Sequence, residues 1–350
     1  MHLDQIMKYI TFTIPSYNSQ DYMRHVIDNL VAVGDDIEVI IVNDGSKDDT
    51  GKIAAEYEKK YPTIVKAIQK ENGGHGSGVM AGIRNASGIF FKVVDSDDWV
   101  ETKDVIEMID LIKKHINEGI NIDLYITNYV YEHASDNSTF VMHYRKCLPI
   151  DKVFAWSEMK HVKLETVFLM HSLMYRLDKL KASGMELPNH TFYVDDIYAY
   201  SPLPYMDKMF YHDLDFYHYF IGRGDQSINY GTMCKRYEQQ MRVFEIMFSS
   251  YSYKELKKLP KPLYKYMWHF LMIIGAVTIM TILGTKEDKK IRKVAFKEYW
   301  KKIKSIDKKL YHKFRYRSLC VIAFTIPGYN LKSFFSRKVY GMYQKKLKLG

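Results

Sequence analysis

Phe90-Phe91-Lys92-Val93-Val94-Asp95-Ser96-Asp97-Asp98-Trp99 is a short apolar run that ends in three carboxylates within four residues. Such a run reads as a strand buried on both faces of a parallel sheet. Carboxylates this close repel one another unless a cation lies among them, so a strand that delivers them at its carboxyl end marks a candidate metal site. Oxygen ligands suit a hard divalent ion, Mg²⁺ or Mn²⁺, that completes its shell with water and a phosphate-bearing substrate. The competing reading is a solvated acidic turn that caps the next helix, a role open to Asp98 ahead of a helix starting near Glu101.

Outward from this stretch, short apolar runs alternate with helical periodicity, the pattern of a parallel sheet covered by helices. The spacing predicts strands over residues 9–14, 37–42, 64–69 and 89–94, with Pro15 stopping the first. It predicts helices over 20–33, 49–60, 76–85 and 101–117. Ser46 or Asp48 is a candidate cap for the second helix, and Gly78 and Gly82 weaken the third. In the fourth, Val105, Ile106, Ile109, Ile112 and Ile116 make one apolar stripe and Gly119 is the stop. Separated β-like segments follow at 122–131, 139–144, 167–175 and 215–220. Beyond 231, residues 235–312 read as helices broken at 260–262 and 284–285. The expected organisation is a catalytic domain over 1–230, with a nucleotide-binding half (1–100) and an acceptor half (101–230), then a basic helical region over 231–350.

In open α/β sheets ligands bind outside the carboxyl ends of the strands, and each early strand here ends in polar residues. The first tip is Pro15-Ser16-Tyr17-Asn18, where Tyr17 offers a flat face to a base or sugar. The second is Asn43-Asp44-Gly45-Ser46, where Asp44 can accept a pyrimidine imide N–H, although an Asp-Gly pair alone is an ordinary turn. The third, Glu71-Asn72-Gly73-Gly74-His75-Gly76-Ser77-Gly78, is a loop able to approach a ligand closely. Gly76 to Ala81 fits a dinucleotide fingerprint but follows the third strand rather than the first. Gly45 to Lys52 fails as a phosphate loop, because Ile53 stands where Ser or Thr is needed.

Taken in order, Thr13-Ile14-Pro15-Ser16-Tyr17-Asn18, Val42-Asn43-Asp44-Gly45-Ser46 with Asp49-Thr50, Asn72-Gly73-Gly74, Arg84-Asn85-Ala86-Ser87-Gly88 and Val94-Asp95-Ser96-Asp97-Asp98 resemble the family 2 glycosyltransferases over about residues 8–230. The resemblance implies a GT-A (nucleotide-diphospho-sugar transferase) fold: an α/β architecture with a mainly parallel mixed sheet, followed here by a helical C-terminal extension. It also implies inverting transfer of the bacterial cell-surface polysaccharide type. By it, Tyr17 sits near the nucleobase and Asp44 reads the uracil or thymine imide. Asp95 contacts ribose or metal, Asp97 ligates the metal, and Arg84 lies near the diphosphate or sugar. Pro15, Asn18, Asn72 and Ser96 belong to the same nucleotide-sugar site.

Inverting transfer needs a base within reach of the acceptor hydroxyl. Phe192-Tyr193-Val194-Asp195-Asp196-Ile197 resembles the family's acidic pair, with Asp196 as base, and Asp195, in place of the more usual Glu, supporting it or binding substrate. Tyr219 to Ile228 resembles the segment that closes over the donor diphosphate, where Arg223 and Ser227 offer phosphate contacts. The QxxRW pattern of processive relatives is absent, which favours single additions. His212 and His218 read as packing or surface residues.

The chain has 350 residues and a formal charge of +10, unevenly spread. Residues 231–350 carry 28 Lys and Arg against 7 Asp and Glu, leaving a net of −11 for residues 1–230. Cys147, Cys234 and Cys320 have neither disulfide nor zinc spacing, which fits a reducing compartment. No signal-peptide pattern opens the sequence, so a cytoplasmic location is expected. The uncharged run 270–284, 15 residues, is shorter than the roughly 20 a membrane span needs. Downstream lysines interleaved with aromatics suit an anionic membrane surface. The expected partners are a UDP-sugar or other pyrimidine nucleotide sugar, a glycan or lipid-linked glycan acceptor, a divalent metal and that membrane surface. Nucleic acid is not expected, because the acidic half gives it no continuation. Two rivals remain: a sugar nucleotidyltransferase, and a non-catalytic membrane adaptor.

Overall fold

The computed structural model describes residues 7–160, 162–163, 166–222 and 230–322. Arg223 and Ser227 lie outside these residues. The chain divides into two compact units, Met1–Lys160 with Phe168–Phe220, and His161–Val167 with Ile221–Gly350. That division falls before the break expected after residue 230.

The first unit opens with β1 (Ile10–Ser16), α1 (Met23–Val31), β2 (Ile37–Asp44), α2 (Thr50–Lys60), β3 (Val65–Lys70), α3 (His75–Asn85), β4 (Phe90–Val93) and α4 (Thr102–Asn117). Next come β5 (Leu124–His133), β6 (Thr139–Met142), β7 (Val153–Phe154), β8 (Leu173–Arg176), α5 (Leu177–Ala182), α6 (Asp195–Tyr200) and β9 (Met209–Ile221). They form one sheet in the order β3-β2-β1-β4-β8-β5-β9-β7, with β6 beside β5. β1 to β4 pair in parallel, whereas β8 runs antiparallel to both β4 and β5. Every residue of β1 and β4 is buried, as strands covered on both faces must be.

After stepping β1-β2-β3, the chain crosses back through α3 to place β4 on the other side of β1. The point where strand order reverses is where such sheets bind ligands. α3 lies on β1 and β2, and a Cβ at Gly82 would come within 2.3 Å of the Thr13 side chain. The glycines that weaken α3 as an isolated helix are thus what let it lie close to the sheet.

Several local expectations are corrected. Pro15 does not end β1, which runs to Ser16 with Pro15 opposite Val42. The β4 ladder has ended by then, at Thr13 opposite Val93, so the last residues of β1 are flanked on one side only. In α4, Ile106 and Ile116 are exposed, and the buried face is completed by Met108 instead. Asp98 does not cap α4: the N-cap position is Glu101, with no side-chain bond. Ahead of α2, Asp48 Oδ1 accepts from Thr50 N at 3.0 Å.

The second unit contains α7 (Tyr230–Lys235), α8 (Tyr237–Ser249), α9 (Tyr253–Leu256), α10 (Lys261–Gly284), α11 (Lys289–Ile306), α12 (Lys308–Arg317) and α13 (Leu319–Ile322). α10 has 24 residues and is long and apolar enough to cross a membrane, which corrects the shorter run expected from sequence. Leu263, Tyr266 and Met267 extend its apolar length before residue 270, and 67% of its most apolar window is buried. It packs against α7, α8, α11 and α13.

Candidate active site

The carboxyl ends of β1 and β2 open onto a cleft of about 320 Å³. Pro15, Ser16 and Tyr17 line it from the first tip, Asp44 from the second, and Asn72, Gly74, His75 and Gly78 from the loop into α3. His190, Thr191 and Phe192 close the remaining wall. Tyr17 and Phe192 both keep exposed rings, 51% and 42%, so the cleft offers aromatic faces to a planar ligand.

Asp44 is buried, and its carboxylate accepts from Gly73 N (2.9 Å), Gly74 N (2.7 Å) and the Lys70 ammonium. Asn72 Nδ2 returns to the Asp44 carbonyl at 2.8 Å. Gly45 makes this approach possible: its φ is +71°, and a Cβ there would lie 2.7 Å from Asn72 N. Asp44 therefore fixes the loop that forms the cleft wall as well as lining the cleft. Asn18 is a tie as well, accepting from Lys47 N at 2.9 Å and donating its own N–H to Ser46 Oγ at 3.0 Å. Ser96 pairs with Ser19 through their hydroxyls at 2.8 Å.

The acidic tip of β4 adjoins this cleft through His75, whose Nε2 donates to Asp95 Oδ1 at 2.8 Å. Burial opposes charge on His75, but Asp95, then Asp195 and Asp97, outweigh it and raise its pKa. Burial likewise works against ionised Asp95, and His75, His171 and Lys92 more than compensate, holding it below the usual carboxylate range. Asp98 is pushed well above that range by burial and by repulsion from Asp97 and Asp95. It accepts from Tyr217 Oη (2.6 Å) and Phe220 N (2.9 Å). Asp195, the first residue of α6, is raised by burial and by Asp95, against the pull of His75. Asp196 follows it, buried.

Beneath the tip lies Lys92, fully buried, its ammonium donating to the carbonyls of His171 (2.6 Å) and Leu173 (3.4 Å). Burial lowers its pKa to about 7. His171 stacks on Tyr217 and Tyr219 at 4.7 Å each, and burial lowers it to about 4. Its Nδ1 is buried without a hydrogen-bond partner among the described residues. Asp95, Asp98 and His171 each present one ligand atom, all within 4.8 Å of one another. Two carboxylates and one imidazole could hold a divalent ion, although the nitrogen donor makes the set a poor match for Mg²⁺, which takes oxygen ligands. Asp97, the expected ligand, is not in this group.

The cleft thus gathers Pro15, Tyr17, Asp44 and Asn72, and Asp95 and Asp195 share one electrostatic cluster with His75. Arg84 is elsewhere: it pairs with Glu186 at 2.8 Å in an adjoining cleft of about 310 Å³ with Ser77 and Met80. His212 sits between Asp151 and Glu107, and His218 stacks on Trp99 and pairs with Glu132, so both are structural. Sequence reasoning missed His75, His171, Tyr217 and the 190–192 wall. Only His75 carried a signal, as an ionisable ring set among the glycines of the loop at a strand tip.

The fold and site define a GT-A type α/β protein with a nucleotide-sized cleft beside an acidic strand tip. Residues 11–172, a little under half of the chain, match Glycosyl transferase family 2. It is 30% identical over 192 residues to Glycosyltransferase GlyA of Streptococcus pneumoniae serotype 4, covering 50% of this chain and 27% of that protein. It is 30% identical over 210 residues to the putative glycosyltransferase EpsH of Bacillus subtilis, covering 55% of this chain and 59% of that one. The chain therefore matches less than two thirds of the length of either relative. Among solved structures, S. aureus TarS 1–349 in complex with UDP-GlcNAc superposes with a TM-score of 0.60 at 17% identity, covering 95% of this chain and 92% of TarS 1–349. That likeness speaks for the fold.

Proposed function

We propose that this protein is an inverting glycosyltransferase that moves a sugar from a UDP-sugar to a hydroxyl of a glycan acceptor. The observation that carries the reading is the cleft at the β1 and β2 tips, with Tyr17 and Asp44 on its wall and His75 joining it to Asp95. An aromatic face and a fixed carboxylate suit a pyrimidine, and the acidic tip suits the cation that accompanies a diphosphate. The complex of TarS with UDP-GlcNAc supports the donor class by analogy.

In this reading Tyr17 and Asp44 hold the base, and Asp95 and Ser96 face the ribose side of the donor. At the β4 tip Asp95, with Asp98 and His171 beside it, would hold a divalent cation that would neutralise charge on the departing diphosphate, and Asp97 remains the further ligand that the family resemblance implies. Asp196 takes the proton of the acceptor hydroxyl as that oxygen attacks the anomeric carbon, and Asp195 beside it orders the acceptor. Arg223 and Ser227 are the further phosphate contacts that the family resemblance implies. The basic second unit docks on the anionic inner face of the cell membrane, which makes a lipid-linked glycan the acceptor and the enzyme cytoplasmic and peripheral.

The test is a screen of UDP-, dTDP-, CDP- and GDP-sugars for nucleotide release with Mn²⁺, Mg²⁺ or EDTA. Metal-dependent release of UDP from one UDP-sugar is expected. Pyrophosphate release from UTP and a sugar phosphate would favour a nucleotidyltransferase instead, and no turnover with any donor would favour an adaptor.

A further inference from the structure

His75 is the first residue of α3, and its place is set by Gly74, whose φ is +82°. The ring lines the cleft that holds Tyr17 and Asp44. Nε2 is committed to Asp95 at 2.8 Å, and Nδ1 makes no hydrogen bond among the described residues. The side chain is 32% exposed, so one edge of the imidazole faces the cleft while the other is tied to the acidic tip. A surface histidine serving only as a prop for Asp95 would not need a place on the cleft wall. A ligand residue would, because a ring spanning two sites transmits the position of one to the other.

We propose that His75 is a donor-binding residue: Nε2–H donates to Asp95 and orients it, and Nδ1, the acceptor nitrogen of that tautomer, accepts a hydrogen bond from a ribose hydroxyl of the nucleoside diphosphate. Nucleotide seating and the orientation of the β4 carboxylate are then one event. The surrounding charges fit this role. Asp95, Asp97 and Asp195 surround the ring with negative charge, so the nitrogen that faces Asp95 is the one that carries a proton, which leaves Nδ1 as the acceptor toward the cleft. The proposal rests on the donor reading of the cleft.

The experiment is calorimetric titration of the full chain with UDP, UMP and uridine, in EDTA and again in Mn²⁺, for wild type, His75→Ala, His75→Gln and Asp95→Asn. UDP and uridine affinities are both expected to fall about three- to tenfold in His75→Ala under both conditions, the scale of one lost neutral hydrogen bond. His75→Gln, which keeps an amide able to reach both sides, is expected to recover part of the loss. His75→Ala in the Asp95→Asn background should cost less than it does alone, because the two residues act together. Histidine-labelled protein should also show the His75 ring resonance, assigned from its absence in His75→Gln, shifting on UDP addition. Wild-type binding of UDP with unchanged affinity in His75→Ala, or an unmoved His75 resonance, would overturn the proposal. Absence of UDP binding by the wild type would instead count against the donor reading itself.

Discussion

The hydroxyl of Tyr217 donates to Asp98 Oδ2 at 2.6 Å and, through its oxygen, accepts the Asp95 amide at 3.2 Å. One side chain from β9 therefore holds both ends of the acidic turn that follows β4. Backbone bonds between Trp99 and His218, 3.2 and 2.9 Å, fasten the same region a residue further on. The turn is built by a partner more than a hundred residues away in sequence, and its geometry depends on that partner.

Tyr217→Phe is expected to destabilise the fold by about 1–3 kcal/mol, because it strips the buried Asp98 carboxyl of its shortest hydrogen bond and leaves no replacement. Urea unfolding measures it. If the variant matches the wild type within error, Tyr217 does not hold the turn.

This separation explains which parts of the site were legible in the sequence. β1 to β4 and their polar tips were legible because each is local: an apolar run, a break, and a few polar residues. Asp44 and the Asn72–Gly74 loop were visible for the same reason. By contrast, Tyr217 and His171 lie within apolar segments where they read as ordinary core, and only the tertiary fold brings them to Asp95 and Asp98. Arg84 pairs with Glu186, a partner 102 residues on that no local pattern names. Ile106 fitted the stripe of α4 by spacing, yet the surface that α4 covers is narrower than the stripe.

Lys92 gives a pH signature. Its ordinary pKa of 10.5 falls to about 7 in the folded protein because burial penalises the charge. Between those values the unfolded chain binds a proton that the folded chain does not, so this residue makes stability rise with pH across that window, with a slope of up to about 1.4 kcal/mol per pH unit. As pH falls from about 10 toward 7, Lys92→Met should gain steadily on the wild type in urea unfolding with EDTA present. Parallel stability profiles for the two proteins would mean that Lys92 stays protonated in the fold.

Gly82→Ala tests the contact that seats α3. The added Cβ meets Thr13 at 2.3 Å, and Thr13 is fully buried on β1, so helix and strand must separate. A loss of about 1–3 kcal/mol is expected despite the better helix propensity of alanine. A rise in melting temperature would show that the helix has room to move.

Asp196→Asn separates chemistry from binding. Removing the base should lower transfer by about 10²–10⁴-fold, while metal-dependent UDP binding stays within a few-fold of wild type. Near-normal turnover would take Asp196 out of the role, and Asp195, which shares the electrostatic cluster with Asp95 and His75, would be the next residue to substitute.

The basic second unit gives the last prediction. On α11, Lys290, Lys293, Lys297 and Lys301 are exposed beside Ile291 and Val294, which are 48% and 55% exposed. Lysines around apolar side chains on one helix suit the headgroup region of an anionic bilayer, where each cation near the surface contributes about 1 kcal/mol. Sedimentation with phosphatidylglycerol vesicles should therefore exceed that with phosphatidylcholine vesicles and decline with salt. Replacing Lys290, Lys293 and Lys297 with Glu should weaken the anionic binding by about 10²-fold or more while leaving UDP affinity unchanged, because these side chains lie in a different unit from the cleft. Equal partitioning of the wild type onto both kinds of vesicle would remove electrostatic docking as the role of this unit. Loss of anionic binding without loss of UDP binding would assign membrane attachment to α11.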